Sequence, residues 1–429
     1  MKVNKWTLGL VALGLASVPA GSQAEEKLNQ VWTALSSTTI SGYVNTSMHW
    51  NLGTGNGNVP NYVYNTSDKQ DGFNLNVVDL TIEKAMDEAQ WAAGYKVQLW
   101  FGPDANTFGT GSSGSFVNSV ETLPGDGPVT NRVSLANNSD LAIRQAYVAL
   151  RAPIGNGLDF KVGVFDGLLG YESHDAGRNP NYTRAYGLAL TPHTHTGVAM
   201  AYQFCPFFSA SAAVGNTVGP AINQRANPPK AESFKAYTAA LAITAPESWG
   251  FIGGSVLYAG FLNGFNNAEQ WDQTSFYSGL ALNTPAKNVK VGASFSYLGT
   301  TGDFAGNHNY ANAWALYTSF QATEKLSLHL RGEYATTDTQ LLGPTVDTDA
   351  DGFPDAIAHG NSKVFALTGT MQYDLWKNVL SRLEVRWDHQ AGDADMLGFG
   401  GKPISSAILQ PTGTKRNSVL IAANIIYQF

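Results

Sequence analysis

Hydrophobicity alternates along the last nine residues, Ile421-Ala-Ala-Asn-Ile-Ile-Tyr-Gln-Phe429. Ile421, Ala423, Ile425, Tyr427 and Phe429 share one face, and Ala422, Asn424, Ile426 and Gln428 share the other. A period of two is strand geometry. An apolar strand face that ends on aromatics needs a cover, because an exposed edge of this kind is an aggregation site. The same period recurs along most of the chain. It predicts sixteen strands, at 38–50, 72–85, 89–102, 139–152, 155–167, 193–204, 206–215, 232–246, 248–260, 270–284, 287–300, 310–323, 325–338, 361–376, 378–391 and 416–429.

Several of these segments place charge on one face only. Leu326, Leu328 and Leu330 oppose Lys325, Ser327, His329, Arg331 and Glu333. Leu383, Val385 and Trp387 oppose Arg382, Glu384, Arg386, Asp388 and Gln390. Trp91, Ala93, Tyr95, Val97, Leu99 and Phe101 oppose Lys96, Gln98 and Trp100. An Arg or Lys facing lipid at mid-bilayer costs about 2–4 kcal/mol, so the charged face would be the lumen of a barrel. A soluble sheet with one wet face gives the same pattern in any single strand.

The gaps favour the barrel. Those after even-numbered strands are short (86–88, 153–154, 205, 247, 285–286, 324 and 377), and those after odd-numbered strands are long (51–71, 103–138, 168–192, 216–231, 261–269, 301–309, 339–360 and 392–415). Short turns at one end and long loops at the other are the two-sided signature of an outer-membrane barrel. Aromatics near strand ends (Tyr43, Trp50, Trp249, Tyr258, Phe320, Tyr334, Tyr373, Trp376, Tyr427 and Phe429) suit its interfacial belts. The fold class is therefore all-β, a 16-stranded antiparallel transmembrane barrel over 38–429.

The first residues carry an export pattern. Lys2 and Lys5 precede an apolar run from Trp6 to Val18, and Ser22-Gln-Ala24 is a small-x-small cleavage site. Residues 1–24 thus read as a signal peptide, and 25–37 as a short amphipathic periplasmic helix, with Leu28, Val31, Trp32 and Leu35 on one face. No stretch holds 18 consecutive apolar residues, so no helical span is predicted. Without Lys2 and Lys5 the 33 acidic residues outnumber the basic ones by nine, which argues against nucleic acid as a partner. Charged residues make up only 14%, below the quarter usual in soluble domains. Cys205 is the single cysteine and reads as an inert thiol in a tight turn.

Candidate functional residues follow from the faces. Lys96, Lys161, Lys290, Arg331, Glu333, Arg382, Glu384, Arg386 and Asp388, with Asp79 and Glu83, are expected to line a pore and set its field. Loop 168–192 carries Glu172, Asp175, Arg178 and Arg184, which would constrict that pore if the loop folded inward; an external loop is the alternative. Asp347, Asp349, Asp351 and Asp355, with Gly352 at the sixth position, resemble the first part of a calcium loop. The acidic ligand expected at position 358 is Ala, and a solvated acidic loop explains the segment equally. His193 and His195 share a strand face but have no third ligand near in sequence. No spacing suggests a nucleophilic triad.

Ser41-Gly-Tyr43-Val, Arg144-Gln-Ala-Tyr-Val148, Val162-Gly-Val-Phe165, Gly170-Tyr-Glu172, Asn179-Pro-Asn-Tyr-Thr-Arg184, His195-Thr-Gly197 and Ala201-Tyr-Gln-Phe204 resemble the OmpL-like β-barrel porin family of Gram-negative bacteria. The resemblance spans nearly the whole mature chain and is strongest over 38–204. It implies an outer-membrane porin that passes small hydrophilic solutes or ions by diffusion, without catalytic residues. A homotrimer embedded in outer-membrane lipid is the expected assembly by analogy with sixteen-stranded porins. The competing classes are an adhesive or structural barrel acting through its long loops, and an outer-membrane hydrolase.

Overall fold

A computed structural model describes residues 38–53, 69, 71–87, 89–107, 116–121, 129–134, 141–226, 233–265, 272–301, 308–337, 362–392, 399 and 415–429. The expected signal peptide, the expected helix at 25–37 and the aspartates of 347–355 lie outside these residues.

Sixteen antiparallel strands close into one barrel. They are β1 (Thr39–Asn51), β2 (Gly72–Lys84), β3 (Ala93–Phe101), β4 (Leu141–Ala152), β5 (Leu158–Asp166), β6 (Thr194–Cys205), β7 (Phe208–Gly215) and β8 (Ala236–Thr244). The circle continues through β9 (Val256–Phe265), β10 (Asp272–Asn283), β11 (Val289–Thr301), β12 (His308–Gln321), β13 (Leu326–Thr337), β14 (Ser362–Trp376), β15 (Val379–Gln390) and β16 (Asn417–Gln428). Each strand pairs with its sequence neighbour, and β16 returns to β1. That closing seam runs in register from Tyr43 opposite Gln428 to Asn51 opposite Leu420. A separate hairpin, Phe116–Glu121 with Val129–Ser134, arises within the gap between β3 and β4.

The faces are as the period predicts. Leu328, Leu330, Leu383 and Val385 are 42–54% exposed, whereas Arg331, Arg382, Glu384, Arg386 and Asp388 are 2% or less. This inversion of the soluble pattern marks an outer wall whose apolar side chains face lipid, as an outer-membrane barrel requires. Two of the expected belt aromatics turn inward instead: Tyr43 and Tyr258 are each 7% exposed.

One strand differs from its expected place. The segment 248–260 begins as a 3-10 turn, Glu247–Ile252, and β9 starts only at Val256. Pro246 precedes the turn, and Gly250 and Gly254 hold φ of 69° and 76°, values that a continuing strand cannot adopt. The turn end therefore carries a longer connection here, and loops 266–271 and 302–307 at the opposite end are short. Strict short–long alternation breaks on this side of the barrel.

Candidate functional site

The segment between β5 and β6, residues 167–193, folds into the barrel. Its anchors are the charged side chains of β13 and β15, which the period of two stacks on the inner wall. Arg331 donates to Glu172 Oε1 at 2.9 Å, to the Thr183 carbonyl at 2.8 Å and to Glu333 at 2.7 Å. The Glu384 carboxylate accepts the backbone N–H groups of Tyr182 and Thr183 at 2.6 and 2.9 Å. Arg382 donates to the carbonyls of Ala176 and Asn179, and Arg386 to that of Arg184. The Tyr186 hydroxyl donates to Asp388, and its N–H to Glu333. A loop inside a barrel must satisfy its backbone polar groups, and these side chains do so.

The wall is also shaped for the loop. Ala311, Ala313, Ala335, Val364 and Ala366 form the inner surface against which Tyr186 and Leu190 pack. A Cβ on Gly292 would meet the Tyr171 hydroxyl at 1.8 Å, so glycine is what leaves room for that ring. Tyr171 stacks on Tyr317, with ring centroids 4.3 Å apart.

This geometry corrects the role expected for six residues. Arg331, Glu333, Arg382, Glu384, Arg386 and Asp388 are on the lumenal side, but loop 167–193 covers them and they are nearly dry. Glu172 and Arg184, on the loop itself, are buried against them at 5% and 3% exposure. Asp79 is likewise buried, accepting from Gln98 at 2.6 Å and Trp100 at 2.7 Å. Lys290 is exposed beside the turn end of β11.

Open space lies on the other side of the loop. A cavity of about 160 Å³ is lined by Glu83, Lys96, Lys161, Asp166, Asp175 and Arg178. Ser209 and Ser211 contribute to its far wall. Arg178 reaches Asp175 at 3.4 Å, and Lys161 sits 4.6 Å from the centroid of the Tyr147 ring. Of the residues expected to front water, Lys96, Lys161, Asp175 and Arg178 are brought together here.

Arg144 and Asp166 escaped the sequence reading. In β4, Arg144 is the extra residue of a β-bulge, since Gln98 pairs with Gln145 and Leu99 with Ile143. Both Arg144 and Gln145 then point inward. Two adjacent polar residues in an otherwise alternating strand were the available signal of such a slip.

Three histidines gather near this bulge. His174 Nδ1 lies 2.7 Å from the Arg144 guanidinium, and its Nε2 contacts His193 Nδ1. Arg144 can only donate, so His174 Nδ1 accepts and its Nε2–H donates to His193. His195 places Nδ1 3.2 Å from the Thr217 carbonyl. Among the described residues no three His, Cys, Asp or Glu side chains are placed to hold a metal ion. Burial, followed by Arg144 and neighbouring charges, pushes His174 well below its ordinary pKa and His193 down to about 4. A detached loop would protonate both near pH 6.5, whereas the docked loop keeps them neutral. Docking is therefore fully favoured above about 6.5 and weakens as pH falls toward 4. Channel flicker should be constant above pH 7 and rise between pH 6.5 and 4 in bilayer recordings. His174→Asn should flatten that dependence; an unaltered acid response would disprove it.

A closed sixteen-stranded barrel with an apolar outside and a loop narrowing its interior is the architecture of an outer-membrane porin. The chain belongs to the family described as Putative beta-barrel porin-2, OmpL-like, whose model matches residues 37–429. Solved structures show the same fold at low identity. The anion-selective porin of Comamonas acidovorans has a TM-score of 0.55 at 12% identity, covering 92% of this chain and 99% of its own. OmpF of Salmonella typhi has 0.53 at 11%, covering 92% and 98%, and the outer membrane channel DcaP of Acinetobacter baumannii 0.52 at 14%, covering 92% and 97%. No curated protein matches in sequence. The protein is a porin of the bacterial outer membrane.

Proposed function

We propose that small hydrophilic solutes and ions diffuse passively through the space between loop 167–193 and the wall formed by β2 to β9. The observation that carries this is the placement of the loop: it fills the lumen against β11 to β16, touches the opposite wall through Leu168, Leu169, Asp175 and Ala176, and leaves a polar cavity between these contacts. Lys96, Lys161, Arg178, Glu83, Asp166 and Asp175 then supply the field that a passing ion meets. Passage requires no chemistry, and the protein acts without catalysis. Purified protein should open discrete, ohmic channels in planar bilayers; a folded barrel that never conducts would sink the reading.

A homotrimer is the proposed assembly, supported by the trimer form of OmpT of Vibrio cholerae, a structure of TM-score 0.50 and 12% identity. Cross-linking in native membranes tests it, with a monomer as the contrary result. Asp347, Asp349, Asp351 and Asp355 stay a candidate calcium loop, tested by titrating Ca²⁺ into the folded protein.

A further inference from the structure

The inward loop leaves the wall after Asp166 and returns at Thr194, and these two residues are cross-strand partners. One side chain reaches both. Arg144, only 1% exposed at its side chain, forms an ion pair with Asp166 and donates to Thr194 Oγ1 at 2.8 Å. It also donates to His174 Nδ1 at 2.7 Å, well inside the loop, and its guanidinium lies 5.8 Å from the centroid of the Trp100 ring. The bulge aims it: without the extra residue in β4, Arg144 and Gln145 could not both face inward.

Asp166 belongs to two environments. Its side chain is 26% exposed and lines the open cavity, yet its charge is compensated from behind by Arg144. The neighbouring acid Asp175 faces Arg178, and Glu83 is the cross-strand partner of Lys96. Each cavity acid therefore has a base beside it. Removing one base leaves one carboxylate in excess at the cavity surface, where low-dielectric walls strengthen its field.

From this geometry we infer that Arg144 determines the ion preference of the pore, by masking Asp166 while tying down both feet of the constricting loop. It is a positioning residue that passing solutes do not touch. The inference rests on the diffusion-channel reading above.

The test compares wild type with Arg144→Gln, Asp166→Asn and the double variant, each purified from outer membranes and recorded in planar bilayers under a KCl gradient. Arg144→Gln should raise the K⁺ over Cl⁻ permeability ratio by about two- to threefold, and Asp166→Asn should lower it by a similar factor. The double variant should return to the wild-type ratio. It should keep the added current noise of Arg144→Gln, because the loop feet stay untied. Unchanged ratios, or shifts in the same direction for both single variants, would overturn the inference. Should Arg144→Gln not assemble, Asp166→Asn decides alone: a shift toward Cl⁻ supports the assignment and an unmoved ratio refutes it. A silent wild type would instead defeat the channel reading, so the two failures are distinct.

Discussion

Arg331→Ala is expected to enlarge the single-channel conductance and make it noisy, while the barrel still assembles. Arg331 is fully buried and joins the wall to the loop through Glu172 and Thr183. Its loss leaves the Glu172 carboxylate dry, with the Ala185 N–H at 2.9 Å and the Tyr317 hydroxyl at 3.3 Å as its remaining donors. Breaking a buried ion pair by removing one partner typically costs about 3–5 kcal/mol, chiefly because the other charge is stranded. Glu333 fares better, since Arg386 approaches it to 3.8 Å. The least costly relief is for Glu172 to move toward water, which carries the Tyr171 wedge with it and detaches that part of the loop. The backbone ladder of β12, β13 and β14 does not use the Arg331 side chain, whose contact with Thr368 Oγ1 at 3.4 Å is side chain to side chain, so strand pairing survives. Conductance and noise in planar bilayers, alongside circular dichroism for the barrel, check this. Wild-type conductance in a folded Arg331→Ala protein would mean that Arg382, Glu384, Arg386 and the packing of Tyr186 and Leu190 hold the loop without Arg331.

The contrast between wall and loop explains what the sequence disclosed. Leu328, Leu330, Leu383 and Val385 alternate with charged residues because lipid and lumen impose opposite demands on successive positions, and that period is local. Strand number, order and face follow from it. The destination of Arg331, Arg382 and Arg386 does not. Their loop partners are 148 to 206 residues away, and a lumenal arginine reads the same whether it meets water or a loop carbonyl. Glycine and proline punctuation at 246–254 was legible but outweighed by a run of apolar residues. Arg144 is the intermediate case: the bulge left a mark in the pattern, whereas its contacts with Asp166, Thr194 and His174 are visible only in three dimensions.

Deleting Tyr427, Gln428 and Phe429 should have the larger effect on the cell, sharply reducing the amount of folded barrel in the outer membrane. Gly42 and Phe429 exchange two backbone hydrogen bonds of 3.0 Å, and Gln428 and Tyr427 pair with Tyr43 and Val44. The Gln428 N–H also donates to Asn378, so the same three residues fasten β16 to the turn after β14. Removing them bares the ends of β1 and β15 at once. In hydrocarbon each unsatisfied backbone group costs several kcal/mol, and a barrel open at its seam has nowhere to pair them. Tyr427 and Phe429, 49% and 39% exposed, also leave the belt of aromatics at this rim. The arginine anchors and the cavity lie elsewhere in the wall, and the loop meets the deleted residues at Gly177, which sits against the Gln428 amide. The deletion should therefore separate assembly from conduction: little heat-modifiable barrel in membrane fractions, but normal unitary conductance in whatever inserts. Wild-type yield after the deletion would show that the seam closes without these pairs and that the terminal aromatics are dispensable.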